Sequence, residues 1–103
     1  MAITQNTLTT SPAAIFTATG DTAITVITFC NSANSIDTAI DVYLVPSGSS
    51  AGASTQLINQ LSLVQKNTFI MDTEKYVLEN GDAIFAAAND GSIITATVST
   101  VAL

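Results

Sequence analysis

The chain has 103 residues and a mass of 10.6 kDa, one domain's worth, of which a fold can bury roughly two-thirds of the unfolded surface. Its net charge is −6, with only Lys66 and Lys75 positive and no Arg or His. That excludes Ser-His-Asp and Cys-His catalysis and the usual zinc ligands, and leaves too few cations to bind a nucleic-acid backbone or an anionic membrane.

Charged residues make up 10% of the chain, against about 25% in an ordinary soluble domain, while 48% is hydrophobic. The polar surface must therefore be Thr, Ser, Asn and Gln. Such a surface lacks the charges that keep exposed strands apart, and interfaces are likewise depleted of Lys and Glu. The composition fits a subunit that lives against other subunits, and homo-oligomers are expected. A merely Thr-rich β-domain is the plainer alternative, with the acidic balance serving solubility.

Met1 to Asn6 have neither the basic start nor the apolar h-region of a secretory leader. No apolar run approaches the roughly 20 residues of a membrane helix. Synthesis and residence inside a cell, at least until assembly, is the expectation.

Period-two alternation with β-branched residues dominates the whole chain and predicts an all-β fold. Ile3 to Thr10 alternate weakly and end at Ser11-Pro12; Ala13 to Thr19 carry Ile15 and Phe16 up to the turn Gly20-Asp21. These two short strands belong at an edge, and residues 1–12 are alternatively an N-terminal arm. Thr22 to Cys30 put Ile24, Val26, Thr28 and Cys30 on one face and Ala23, Thr25, Ile27 and Phe29 on the other. Apolar members on both faces predict a central strand. Cys30, the only cysteine, reads as a buried free thiol.

After a polar connection from Asn31 to Asp37, Thr38 to Val45 alternate Ile40, Val42 and Leu44 against Asp41, Tyr43 and Val45, and Pro46 closes the strand. Ser47 to Ser54 are small residues that behave as a flexible loop, read as crossing from one sheet to the other. Leu57, Leu61 and Leu63 share a parity opposite to Ile58 and Val64, and Gln65-Lys66-Asn67 turn. Thr68 to Met71 begin a strand, and Tyr76 to Leu78 form a very short one. Glu79-Asn80-Gly81-Asp82 and Asn89-Asp90-Gly91 are turns with residues that accept positive φ. They bracket Ala83 to Ala88 and precede Ser92 to Ala102, where Ile94, Ala96, Val98 and Thr100 share a face. About eight strands at this spacing predict a single antiparallel β-sandwich over residues 1–103, with Ig-like or jelly-roll topology.

The chemistry left open is narrow. Asp72, Glu74, Glu79 and Asp82, with Asp90 nearby, could supply oxygens to a calcium ion, but their spacing matches no calcium loop and charged turns explain them. Lys66 and Lys75 could pair with these acids at little gain. Phe16, Phe29, Phe69 and Phe85 read as core, which leaves Tyr43 and Tyr76 as exposed rings for an interface or a sugar. No catalytic residue, metal or cofactor site is assigned, and an enzyme is not expected.

The run Val42-Tyr43-Leu44-Val45-Pro46-Ser47-Gly48, with Asp72-Thr73-Glu74-Lys75 and Leu78-Glu79-Asn80-Gly81-Asp82-Ala83-Ile84, resembles small β-sandwich virion structural proteins of tailed bacteriophages. The resemblance covers most of the chain after about residue 22 and rests on short motifs. It implies a non-enzymatic subunit of the virion in many copies: a capsid decoration or cement protein bridging major capsid subunits, or a neck, tail or fibre subunit. A carbohydrate-binding module is the alternative from another class. For either structural role the expected contact residues are Ile3, Thr4, Gln5, Asn6, Thr7 and Leu8 of the N-terminal segment, Ser49 and Ser50 of the loop, and Tyr43 and Tyr76. Deleting residues 2–10 is expected to leave a folded sandwich that no longer joins the particle.

Overall fold

The computed structural model describes residues 2–33, 35–71 and 76–103. Asp72, Thr73, Glu74 and Lys75, and with them part of the acidic group and of the resemblance, lie outside the described residues.

The described residues form nine strands in two antiparallel sheets. In chain order they are β1 (Ala2–Thr7), β2 (Ala13–Thr17), β3 (Thr22–Asn31), β4 (Thr38–Val45), β5 (Gln56–Leu63), β6 (Thr68–Met71), β7 (Tyr76–Leu78), β8 (Ala83–Ala88) and β9 (Ile94–Ala102). Sheet A runs β1-β9-β3-β6, with β7 also paired to β3, and sheet B runs β2-β8-β4-β5. Since β6 and β7 both lie along the same side of β3, they act as one interrupted strand. Counted so, the described residues form eight strands in the order 1-8-3-6 facing 2-7-4-5. That is the jelly-roll order, in which nearly every connection crosses between the sheets.

The core lies between the sheets. Ile24, Ile27, Phe29, Ile94, Ala96 and Val98 of sheet A meet Ile15, Ile40, Val42, Ile84, Ala86 and Ala88 of sheet B. On β9 the expected parity holds, with Ile94, Ala96, Val98 and Thr100 all buried. β3 is central, between β9 and the β6–β7 pair, and β1 and β2 are edge strands.

Three described strands break the simple alternation by a bulge, and those in β3 and β5 reverse part of the reading from sequence. In β3 the register shifts between Ile24 and Val26, so Thr25 is extra. Its hydroxyl donates to the Ser99 carbonyl at 3.0 Å. One inserted residue turns every later side chain to the opposite face. Ile24 therefore points inward together with Ile27, Phe29 and Asn31, while Val26, Thr28 and Cys30 face out. Cys30 is half-buried on the outer surface, not enclosed. In β5, two residues, Asn59 and Gln60, stand opposite Asp41, with Gln60 at φ 53°. Ile58 consequently shares the inner face with Leu61 and Leu63, leaving Leu57 and Val64 exposed. In β2 the extra residue is Ile15, so both Ile15 and Phe16 reach the core.

Ser47 to Ser54 do not cross between sheets: β4 and β5 pair within sheet B. The loop is bonded internally. Ser49 N–H donates to the Pro46 carbonyl at 2.9 Å, and the Thr55 hydroxyl accepts from Gly52 N–H at 3.0 Å. The crossing is made instead between the end of β3 and the start of β4, and Asn31 fastens it. Its side chain is fully buried, its Nδ2 donates to the carbonyls of Ile36 and Leu63 at 3.0 Å each, and its Oδ1 accepts from Ala33 N–H at 2.9 Å. One amide thus joins the end of β3, the crossover and the end of β5.

Candidate functional site

The carboxylates that sequence reading grouped are parts of turns. Asp82 Oδ1 accepts from Ser47 N–H and its Oδ2 from Glu79 N–H, both at 2.9 Å, so it closes its own turn and holds the β4–β5 loop against it. Gly81 adopts φ 92°, and a Cβ there would lie 2.6 Å from Ser47 Oγ. Glycine is required at this close approach. In the turn before β9 the positive φ belongs to Ser92, at 68°, and not to Gly91. Asp37 Oδ1 accepts from Gln65 N–H at 3.0 Å, tying the crossover to the β5–β6 turn. Among the described residues no three His, Cys, Asp or Glu side chains come together as metal ligands would.

Concavities are slight. A depression of about 220 Å³ is lined by Ala2, Phe16, Thr17, Thr19, Thr22, Thr100 and Ala102, and one of about 80 Å³ by Leu44, Val45, Pro46, Leu78, Asp82 and Ala83. Both fall below the roughly 300 Å³ at which pockets for drug-sized ligands begin. The surfaces of the sandwich are the larger feature.

The outer face of sheet A is built from cross-strand rows that the registers define. Val101, Ala23 and Val77 form one row, and Ile3, Ser99 and Val26 the next. Gln5, Thr97, Thr28 and Ile70 form a third, and Thr7, Thr95, Cys30 and Thr68 a fourth. None of these residues is charged. Ile3, Ile70 and Val77 are 71%, 54% and 66% exposed, large values for apolar side chains on one face. The described charged residues Asp21, Asp37, Lys66, Glu79, Asp82 and Asp90 all lie in connections, and only Asp41 lies on a strand, in sheet B.

The outer face of sheet B is different. Asp41 accepts from Gln60 N–H at 2.7 Å, Gln60 Nε2 at 2.9 Å and Gln56 Nε2 at 3.2 Å, and Gln60 is joined in turn to Asn89. This network spans the β5 bulge and covers that side with fixed polar bonds. Beside it, Ala14, Phe85, Tyr43 and Gln56 form one row. Phe85 is half-buried on this outer face, opposite Tyr43, and does not join the core as the sequence reading had it. Its neighbours Ile84 and Ala86 take the inward positions.

The expected contact residues divide on the same terms. β1 is no free arm: it pairs with β9 from Ala2↔Thr100 to Thr7↔Thr95. Ile3, Gln5 and Thr7 are exposed, whereas Thr4 and Asn6 are half-buried and Asn6 Nδ2 donates to the Ile15 carbonyl at 2.9 Å. Leu8 is 2% exposed and belongs to the core, so it is unavailable to a partner. Tyr76 packs against the core, Tyr43 is half-buried beside Phe85, and Ser49 and Ser50 are exposed in the loop. Val26, Thr28, Ile70 and Val77 escaped sequence reasoning as surface residues, because the bulge and the pairing partners of β3 that expose them are set by distant chain.

No protein-family model, curated protein or solved structure matches this chain. The strand order carries the jelly-roll assignment by itself.

Proposed function

We propose that this is a non-enzymatic assembly subunit, a capsid decoration or cement protein of a tailed-bacteriophage virion, which seats the outer face of sheet A on major capsid subunits. The observation that carries the reading is the partition of charge. The described charges avoid one whole face, and that face displays Thr, Val and Ile in ordered rows. Protein interfaces are depleted of charge at their centres. With four strands about 4.8 Å apart and β3 ten residues long, the face is on the order of 500 Å² in projection. That is a large share of the roughly 800 Å² each partner contributes to a standard interface. Many symmetric copies would convert a modest contact into firm attachment.

A reconstruction of the virion carrying this chain tests the proposal. The expected result is many symmetry-related copies on the capsid with sheet A inward. A few copies at one vertex would move the role to neck, tail or fibre, and absence from the particle would overturn it.

The row containing Tyr43 and Phe85 favours one second reading, binding of a glycan stacked on the outer face of sheet B. Binding on a glycan array that is lost in Tyr43→Ala and Phe85→Ala would support it; no binding above background would remove it.

A further inference from the structure

Sheet edges are where β-proteins guard against unwanted pairing, by bulges, charges, proline or short strands. Three of the four edges here carry such devices. β2 is five residues long, follows Pro12 and bulges at Ile15. β5 is bent by the Gln60 bulge, with a second shift between Val42 and Tyr43 of its partner. The remaining edge of sheet A is divided into β6 and β7, of four and three residues. β1 has none of these. Its six residues stay in unbroken register with β9, without Pro, charge or positive φ.

The hydrogen-bond phase shows which groups β1 leaves free. Leu8 N–H donates to the Ile94 carbonyl at 2.9 Å, which marks Leu8 as bonded to the β9 side. Bonded and non-bonded positions alternate along an antiparallel pair, so Asn6, Thr4 and Ala2 also turn their backbone groups to β9. The N–H and C=O groups of Ile3, Gln5 and Thr7 therefore point to the open edge.

We propose that this edge is a homodimer interface, in which β1 of one chain pairs antiparallel with β1 of a second copy across a two-fold axis at Gln5. The three outward residues are symmetric about Gln5. Pairing Gln5 with Gln5, and Ile3 with Thr7 in both directions, satisfies all their outward backbone groups. Charge selects the occupant: each copy carries −6, and a self-contact must not oppose carboxylates. β1 and the described residues that share its rows are uncharged, so this pairing opposes none. The interface is isologous, as two-fold symmetry requires, and merges two copies of sheet A into one continuous sheet. The inference stands on edge geometry and does not depend on the virion reading.

Sedimentation equilibrium from micromolar to millimolar protein, combined with amide hydrogen exchange, tests it. The expected result is a concentration-dependent dimer in which the amides of Ile3, Gln5 and Thr7 become protected, while those of Thr4 and Asn6 are protected throughout. Gln5→Pro removes an outward N–H and should leave a folded monomer. In a Cys30→Ser background, Gln5→Cys should oxidise to a covalent dimer, since Cα atoms of a hydrogen-bonded pair are about 5.5 Å apart, within disulfide range. A chain that stays monomeric at every concentration overturns the proposal. So does a dimer in which the amides of Ile3, Gln5 and Thr7 exchange as in the monomer, and this readout holds even if Gln5→Pro fails to fold.

Discussion

The two outer faces of the sandwich share one core but are finished in opposite ways. Sheet B closes its surface with directed bonds: Asp41 organises Gln56 and Gln60 over the β5 bulge, and Asn89 joins them. Sheet A leaves rows of Thr, Val and Ile with no charge among them. A network that satisfies its own polar groups has little to offer a partner. An uncharged face with exposed Ile3, Ile70 and Val77 gains by being covered, at roughly 25 cal/mol per Å² of apolar area removed from water. The position of charge, more than its amount, is what distinguishes the two faces, and the proposed association through sheet A rests on it.

Four substitutions probe the comparison, from the largest effect to the smallest. Phe29→Ala empties a fully buried site shared by both sheets and should cost about 3–5 kcal/mol by denaturant unfolding. The whole sandwich should lose stability in one transition. Separate transitions for the two sheets would show that they do not share a core.

Asn31→Ala removes the amide that bonds the crossover to β5, leaving buried backbone groups without partners, and should cost about 1–3 kcal/mol. Exchange should accelerate at the ends of β3 and β5 first. An unchanged melting temperature would remove Asn31 from the joint between sheets.

Asp41→Ala dismantles the network on sheet B and should cost about 1–2 kcal/mol, since bonds to a carboxylate are stronger than neutral ones but this group is partly solvated. Association through sheet A should be unaffected. A loss of particle binding in this variant would put the contact on the wrong face.

Thr28→Lys sets one charge in the middle of the sheet A face, between Thr97 and Ile70. Stability should change by less than about 0.5 kcal/mol, as for most surface substitutions, while binding to the capsid is lost. Retained binding in co-sedimentation would sink the assignment of that face.

Much of the fold is legible in the chain because local chemistry sets it. Period-two alternation, β-branched residues and turns such as Gln65-Lys66-Asn67 predict the strands within a few residues, and the parity of β9 follows because that strand is paired on both sides without a bulge of its own. The candidate site was less legible. Ile3 and Gln5 were selected from their place in the chain, yet Leu8, three to five residues on, is core because its apolar side chain turns into the sandwich while its backbone still bonds to β9. The exposure of Phe85 was missed because both faces of β8 are apolar, so its parity cannot be told from residue types.

By itself the sequence determined the all-β class, a count of about eight strands, the placement of the described charges in connections and at one strand position, and the lack of His and Arg. Only the tertiary structure decided which strands are neighbours, which edge is left open and where Thr25, Gln60 and Ile15 bulge. The physical reason is that alternation reports a strand's own two faces, whereas pairing is made by chain far away in sequence. A single extra residue, invisible in composition, exchanges inside for outside: it buries Ile27 and Phe29 and turns Val26 and Thr28 to the outer face of sheet A.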